Sequence, residues 1–131
     1  MPDQSSFDYA VLRLVPRVER EEFINAGVIV YCRQLRFLSV SLGLDEPRVK
    51  ALWPEADLGD LRCRLEAFQR IAAGDPDAGP IAQLTQSERF YWLAAPRSTI
   101  IQVSPIHSGL CRSPKEALDT LCQRLLAATT L

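Results

Sequence analysis

Arg20-Glu21-Glu22-Phe23-Ile24-Asn25-Ala26-Gly27-Val28-Ile29-Val30 is the stretch whose reading decides the fold. Three charges run directly into an apolar, β-branched segment, so a solvated entrance becomes a strand that must be buried. Asn25 lies inside that strand. Strands are poor in Asn, and a buried Asn must find several hydrogen-bond partners. Two roles stay open for it: tying the strand to the neighbouring connection, at a bulge with Gly27, or presenting its amide to a ligand or partner. Glu21 and Glu22 are adjacent, so on an extended chain they point to opposite faces and do not form an acid/base pair.

Outward from this strand, which runs from Phe23 to Cys32, the pattern is that of a meander. Before it, Phe7 to Val15 alternates: Ala10, Leu12 and Leu14 face one side, and Tyr9, Val11, Arg13 and Val15 the other. From Tyr9 to Val15 both faces are apolar except at Arg13, which predicts a central strand. Pro16 ends it, because proline cannot donate to a ladder. Arg17 to Glu22 is a charged connection. After the second strand, Cys32-Arg33-Gln34-Leu35 is short enough for a hairpin turn, and Arg36 to Leu42 returns as a third strand.

Helical spacing takes over after Gly43. Asp45 caps a short helix with Pro47 in its first turn, stopping at Trp53-Pro54. Asp57 caps a longer one, with Leu58, Leu61, Leu65, Phe68 and Ile71 on one face and Gly74 at its end. Ile81 to Leu84 makes one turn of helix. Ser87 to Leu93 is apolar and aromatic and too short for its period to separate helix from strand. Ser98 to Ser104 reads as a fourth strand closed by Pro105, and Ile106 to Arg112 as a polar loop. Ser113 and Glu116 form a capping box around Pro114, opening a last helix with Leu118, Leu121, Cys122, Leu125 and Leu126 as its stripe.

The fold class is α+β: a small antiparallel sheet of about four strands with helices packed mainly on one face. Residues 1–6 are read as a flexible tail and residues 7–131 as a single domain, which suits a chain of 131 residues. At 47% hydrophobic the chain can bury a core without a metal or disulfide staple. The formal net charge of -1 argues against broad binding to nucleic acid. Four scattered cysteines, Cys32, Cys63, Cys111 and Cys122, form no C-x-x-C pair, and the single His completes no zinc set. They read as reduced thiols, and no cofactor is implied. No apolar run approaches ~18 residues and no leader pattern opens the chain, so a cytoplasmic location and no membrane span are expected.

Two clusters carry candidate chemistry. The first is Glu22, Asn25 and Gly27 at the strand entrance, with Arg13 on the neighbouring strand. The second runs from Pro96 to Gly109 and concentrates Arg97, Thr99, Gln102 and His107. Arg97 is a natural carboxylate or phosphate clamp. His107 is the side chain whose ordinary pKa suits proton transfer near neutrality, and it sits in a segment bounded by Pro and Gly. Cys111 lies four residues on, but sequence proximity does not make a nucleophile–base pair. As a ligand site the seven residues are Arg13, Glu22, Asn25, Arg97, Thr99, Gln102 and His107, with Asn25 as orienting amide. The bland reading of both clusters is a set of solvated strand faces. The leading function is a non-enzymatic binding or accessory domain, acting through a protein partner, a second copy, or a small polar or anionic ligand. The alternative is a small hydrolase or transferase with His107 as general base.

Tyr9-Ala10-Val11-Leu12-Arg13-Leu14-Val15-Pro16 followed by Glu22-Phe23-Ile24-Asn25-Ala26-Gly27-Val28-Ile29-Val30 resembles the DUF3037 family of short bacterial proteins. Pro96-Arg97-Ser98-Thr99-Ile100-Ile101-Gln102, His107-Ser108-Gly109-Leu110 and the helix opening at Ser113 are similar to it too. Arg20-Glu21 stand where many members have Arg-Gly. The resemblance implies a small cytoplasmic bacterial protein and carries over no activity or catalytic residue. It also implies an accessory role, with a kinase-like protein of the HipA type as the candidate partner.

Overall fold

The structure is a computed structural model that describes residues 4–97 and 99–126. Its central strand is β1 (Ser5–Leu14), antiparallel along one side to β2 (Ile24–Cys32), which in turn pairs with β3 (Phe37–Leu42). Two short strands lie end to end along the other side of β1. β4 (Ile101–Val103) pairs with Leu12–Leu14, and β5 (His107–Cys111) pairs with Ser5–Tyr9. The sheet therefore has five antiparallel strands, in the order β3-β2-β1-β4 with β5 also on β1. Ser5 and Ser6, expected in the tail, belong to β1, while residues 1–3 lie outside the described residues.

The segment Ile106–Arg112, expected to be a loop, contains β5. Its ladder is set by contacts distant in sequence. Ser104 donates its N–H to the Val11 carbonyl at 2.9 Å and accepts the Val11 N–H on its own Oγ at 2.8 Å. The hydroxyl thus stands in for a ladder carbonyl while the chain steps around Pro105, and pairing resumes at His107. Gly109 permits that resumption: a Cβ there would meet the Phe7 ring at 2.9 Å, closer than carbon atoms approach.

The β1–β2 register slips at one point, where Leu12 faces Gly27 and Arg13 faces Asn25. Ala26 is the extra residue of a bulge. The slip changes which residues share a face. Ile24 and Ala26 join Ile29 and Tyr31 in the larger core, while Val28, Val30 and Cys32 face the other way. Asn25, between Ile24 and Ala26, lies on that second face.

Three helices cover the first face: α1 (Glu46–Leu52), α2 (Leu58–Ala73) and α3 (Gln86–Leu93). Val49, Leu61, Leu65, Phe90 and Leu93 are all but sealed from water against Leu12, Leu14 and Ile29. Burying each such side chain contributes about 1.5–3 kcal/mol, which is why the three- and four-residue spacing of α2 decides its orientation. The caps follow the chain's signals. Asp45 and Asp57 accept the Arg48 and Asp60 N–H groups, and Gly74 closes α2 in the left-handed region at φ 71°. The aromatic segment Ser87–Leu93 is helical because Thr85 and Glu88 form a reciprocal capping box before it.

The opposite face receives α4 (Pro114–Leu125), capped by Ser113, over Phe7, Val28, Val30, Cys32 and Cys111. Of the expected stripe only Leu118 is buried, while Leu121, Cys122, Leu125 and Leu126 are half-covered. This second core is small.

Candidate functional site

The polar entrance of β2 forms the wall of a groove. Arg17 opens a single 3-10 turn, Val18–Arg20, and Glu21 closes it in the left-handed region at φ 56°. The turn swings the chain so that Glu22 pairs with Arg20 and Phe23 leads into β2. Helix α1 lies across from it. Between them is a cavity of about 500 Å³ lined by Glu22, Phe23, Ile24, Arg48, Ala51 and Leu52. A smaller pocket of about 80 Å³ adjoins it through Glu22 and Leu52 and adds Pro16, Arg17 and Arg20.

The groove is amphipathic. Phe23 is 46% exposed and Leu52 36%, both large apolar side chains left open to water. Around them stand three arginines and one carboxylate. Arg20 is held by Glu22, whereas Arg17 and Arg48 form no ion pair among the described residues. Such a surface suits a ligand that carries a negative charge next to an apolar group.

Phe23 also connects the groove to the sheet. The Arg13 guanidinium lies over its ring, 4.2 Å from the centroid. Arg13 is flanked in the sheet by Asn25 on β2 and Gln102 on β4. Its Nε is buried and has no hydrogen-bond partner among the described residues. The Asn25 amide donates to the Leu125 carbonyl, in the last turn of α4, at 3.2 Å. Gln102 donates to the Thr99 carbonyl at 3.0 Å, and the Thr99 hydroxyl donates to the Ile101 carbonyl at 3.0 Å. Arg13, Asn25 and Gln102 are thus brought together, with Asn25 tying strand to helix.

Arg97 lies elsewhere. The strand expected over Ser98 to Ser104 begins only at Ile101, as β4, and Ser98 falls outside the described residues. The Arg97 guanidinium folds back on the end of α3, donating to the carbonyls of Leu93, Ala95 and Trp92 at 2.8, 3.0 and 2.9 Å. It also packs over the rings of Phe68 and Trp92. Burial pulls its pKa below the ordinary arginine value. It closes the helix electrostatically, since the carbonyl end of a helix attracts cations.

His107 is exposed at the start of β5, directly opposite Tyr9, with the two rings 5.2 Å apart. Cys111 sits four residues along the same strand, a separation of about 13 Å at strand rise. It is buried, and burial together with the neighbouring Cys32 thiol pushes its own thiol up. The two do not form a base–nucleophile pair in this arrangement. Among the described residues no group of three or more His, Cys, Asp or Glu side chains is placed to hold a metal ion.

Of the seven candidate residues, then, only Glu22 lines the groove. Arg17, Arg48 and Leu52 were missed. Arg48 and Leu52 are four residues apart and so share a face of α1, a signal present in the chain, but only the fold brings that face to the β2 entrance.

Fold and site define a small α+β domain with an amphipathic, arginine-rimmed groove where its second strand begins. The chain belongs to the DUF3037 family, described as a protein of unknown function, whose model matches residues 9–126. No curated protein matches the chain, and no solved structure does. No helix among the described residues is long and apolar enough to cross a membrane.

Proposed function

We propose that this protein is a non-enzymatic binding domain that uses the groove at the β2 entrance to hold an anionic group borne on an apolar surface. The carrier is a protein partner, for which the family resemblance suggests a HipA-type kinase-like protein as one candidate, or a small ligand. One observation carries the reading: Phe23 and Leu52 are left open to water in a cavity of about 500 Å³ beside Arg17 and Arg48, two arginines without an ion pair among the described residues. An apolar floor supplies affinity, and a guanidinium rim supplies orientation and charge selection.

The test is a titration of the ¹⁵N-labelled protein with hexanoate and, separately, hexylammonium, which share an apolar tail and differ in charge. The proposal expects hexanoate to shift the amides of Phe23, Ala51 and Leu52 progressively, and hexylammonium to bind more weakly. Shifts scattered over the surface, or equal responses to both ions, would contradict it.

A further inference from the structure

The far end of β1, about 30 Å from the groove at strand rise, carries a different kind of surface. β5 pairs with β1 on one side only and has no strand neighbour on the other among the described residues. Exposed sheet edges are ordinarily protected by Lys, Pro, a bulge or a covering helix. β5 has none of these within its length: His107-Ser108-Gly109-Leu110-Cys111 contains no Lys, Arg, Asp, Glu or Pro, and Leu110 is 66% exposed. Next to it runs a groove of about 460 Å³ between β5 and α4. Phe7, Leu110, Ala117 and Leu121 give it an apolar lining, and its charged residues are Arg112, Arg124 and Glu116. None of the three forms an ion pair among the described residues.

We infer that β5 receives an extended strand from a partner protein, with apolar and acidic residues alternating. The added strand takes the open backbone groups of β5, places its apolar side chains on the Leu110 side of the sheet, and sets its alternating carboxylates on the α4 side, against Arg112 and Arg124 at the groove. A second copy of this chain fits the edge less well. Antiparallel pairing of two β5 strands centred on Gly109 sets Ser108 against Leu110 and Ile106 against Arg112, and the paired residues supply no carboxylate.

The experiment uses two synthetic ten-residue peptides with valine at alternate positions, one with glutamate and the other with lysine at the intervening positions. Binding is read by fluorescence anisotropy alongside the oligomeric state of the protein by sedimentation. The inference expects the glutamate peptide to bind about tenfold more tightly than the lysine peptide, the effect of two rim-exposed ion pairs. Arg112→Glu/Arg124→Glu reverses that order, and Leu110→Lys, at an exposed position that leaves the core intact, weakens both peptides. Equal affinity for the two peptides, no binding by either, or a dimer that Leu110→Lys dissociates would each overturn it. Groove binding of hexanoate is read separately, so failure here leaves that result standing.

Discussion

The Arg13 guanidinium lies 4.2 Å from the centre of the Phe23 ring, and this contact joins the sheet to the groove. A cation over an aromatic face contributes about 0.5–1 kcal/mol at a partly exposed site. The same guanidinium buries an Nε without a partner among the described residues, which works against it. Arg13→Met keeps the apolar stem and removes both effects. Urea denaturation should place this variant within about 0.5 kcal/mol of wild type, and a double-mutant cycle with Phe23→Leu should recover a coupling of about 0.5–1 kcal/mol. A loss above about 2 kcal/mol on Arg13→Met would mean that Arg13 holds a buried charged partner.

Asn25 is predicted to be a tie between β2 and α4. Asn25→Ala should lower stability by about 1 kcal/mol and speed hydrogen exchange in the last turn of α4, leaving hexanoate binding unchanged. Asn25→Asp should be worse at neutral pH, because a carboxylate would face the carbonyl end of the helix. Its folded pKa would then lie above the unfolded value, so its penalty should fade as pH drops below about 4 and grow as pH rises through the folded pKa. An Asn25→Asp variant as stable as wild type at pH 7 would rule out the tie.

Gly109 has a steric role. The Phe7 ring would lie 2.9 Å from any Cβ at this position. Gly109→Ala should therefore cost about 1–3 kcal/mol by forcing Phe7 out of place, and Phe7→Leu should relieve part of that loss in the double variant. Additive losses would show that the ring and the glycine are not in conflict.

The thiols should react in the order of their burial. Cys63 is exposed, whereas Cys111 is buried and its thiol is pushed up by that burial. Iodoacetamide at pH 8 should modify Cys63 in the folded protein and reach Cys111 only on unfolding, as peptide mass mapping would show. Rapid modification of Cys111 in the folded state would mark it as an activated thiol and reopen the hydrolase reading.

Much of the fold was legible where a local signal and the buried pattern agree. The alternation of Ala10, Leu12 and Leu14, the three- and four-residue spacing of α2, and the caps Asp45, Asp57 and Ser113 all point to what is found. The Thr85–Glu88 capping box was equally available and decides α3, yet the short aromatic run after it drew the reading to period alone. β5 was not legible. It is a strand because Ser104 bonds Val11 and Phe7 lies against Gly109, contacts that join residues some hundred positions apart. The same reason hides the groove: Glu22 could be named from its own strand, but Arg48 and Leu52 become its neighbours only when α1 packs on the sheet. Arg97 has the composition of an anion clamp and instead spends its donors on the carbonyls ending α3.

The most direct test of the central claim is the charge preference of the β2-entrance groove, measured as the ratio of hexanoate to hexylammonium affinity in wild type and in Arg17→Glu/Arg48→Glu. Both substituted positions are free of ion pairs among the described residues, so the fold should survive. The account predicts that the wild-type protein favours hexanoate and that the double variant loses hexanoate affinity by about tenfold and comes to favour hexylammonium. An unchanged ratio in a folded double variant would contradict it.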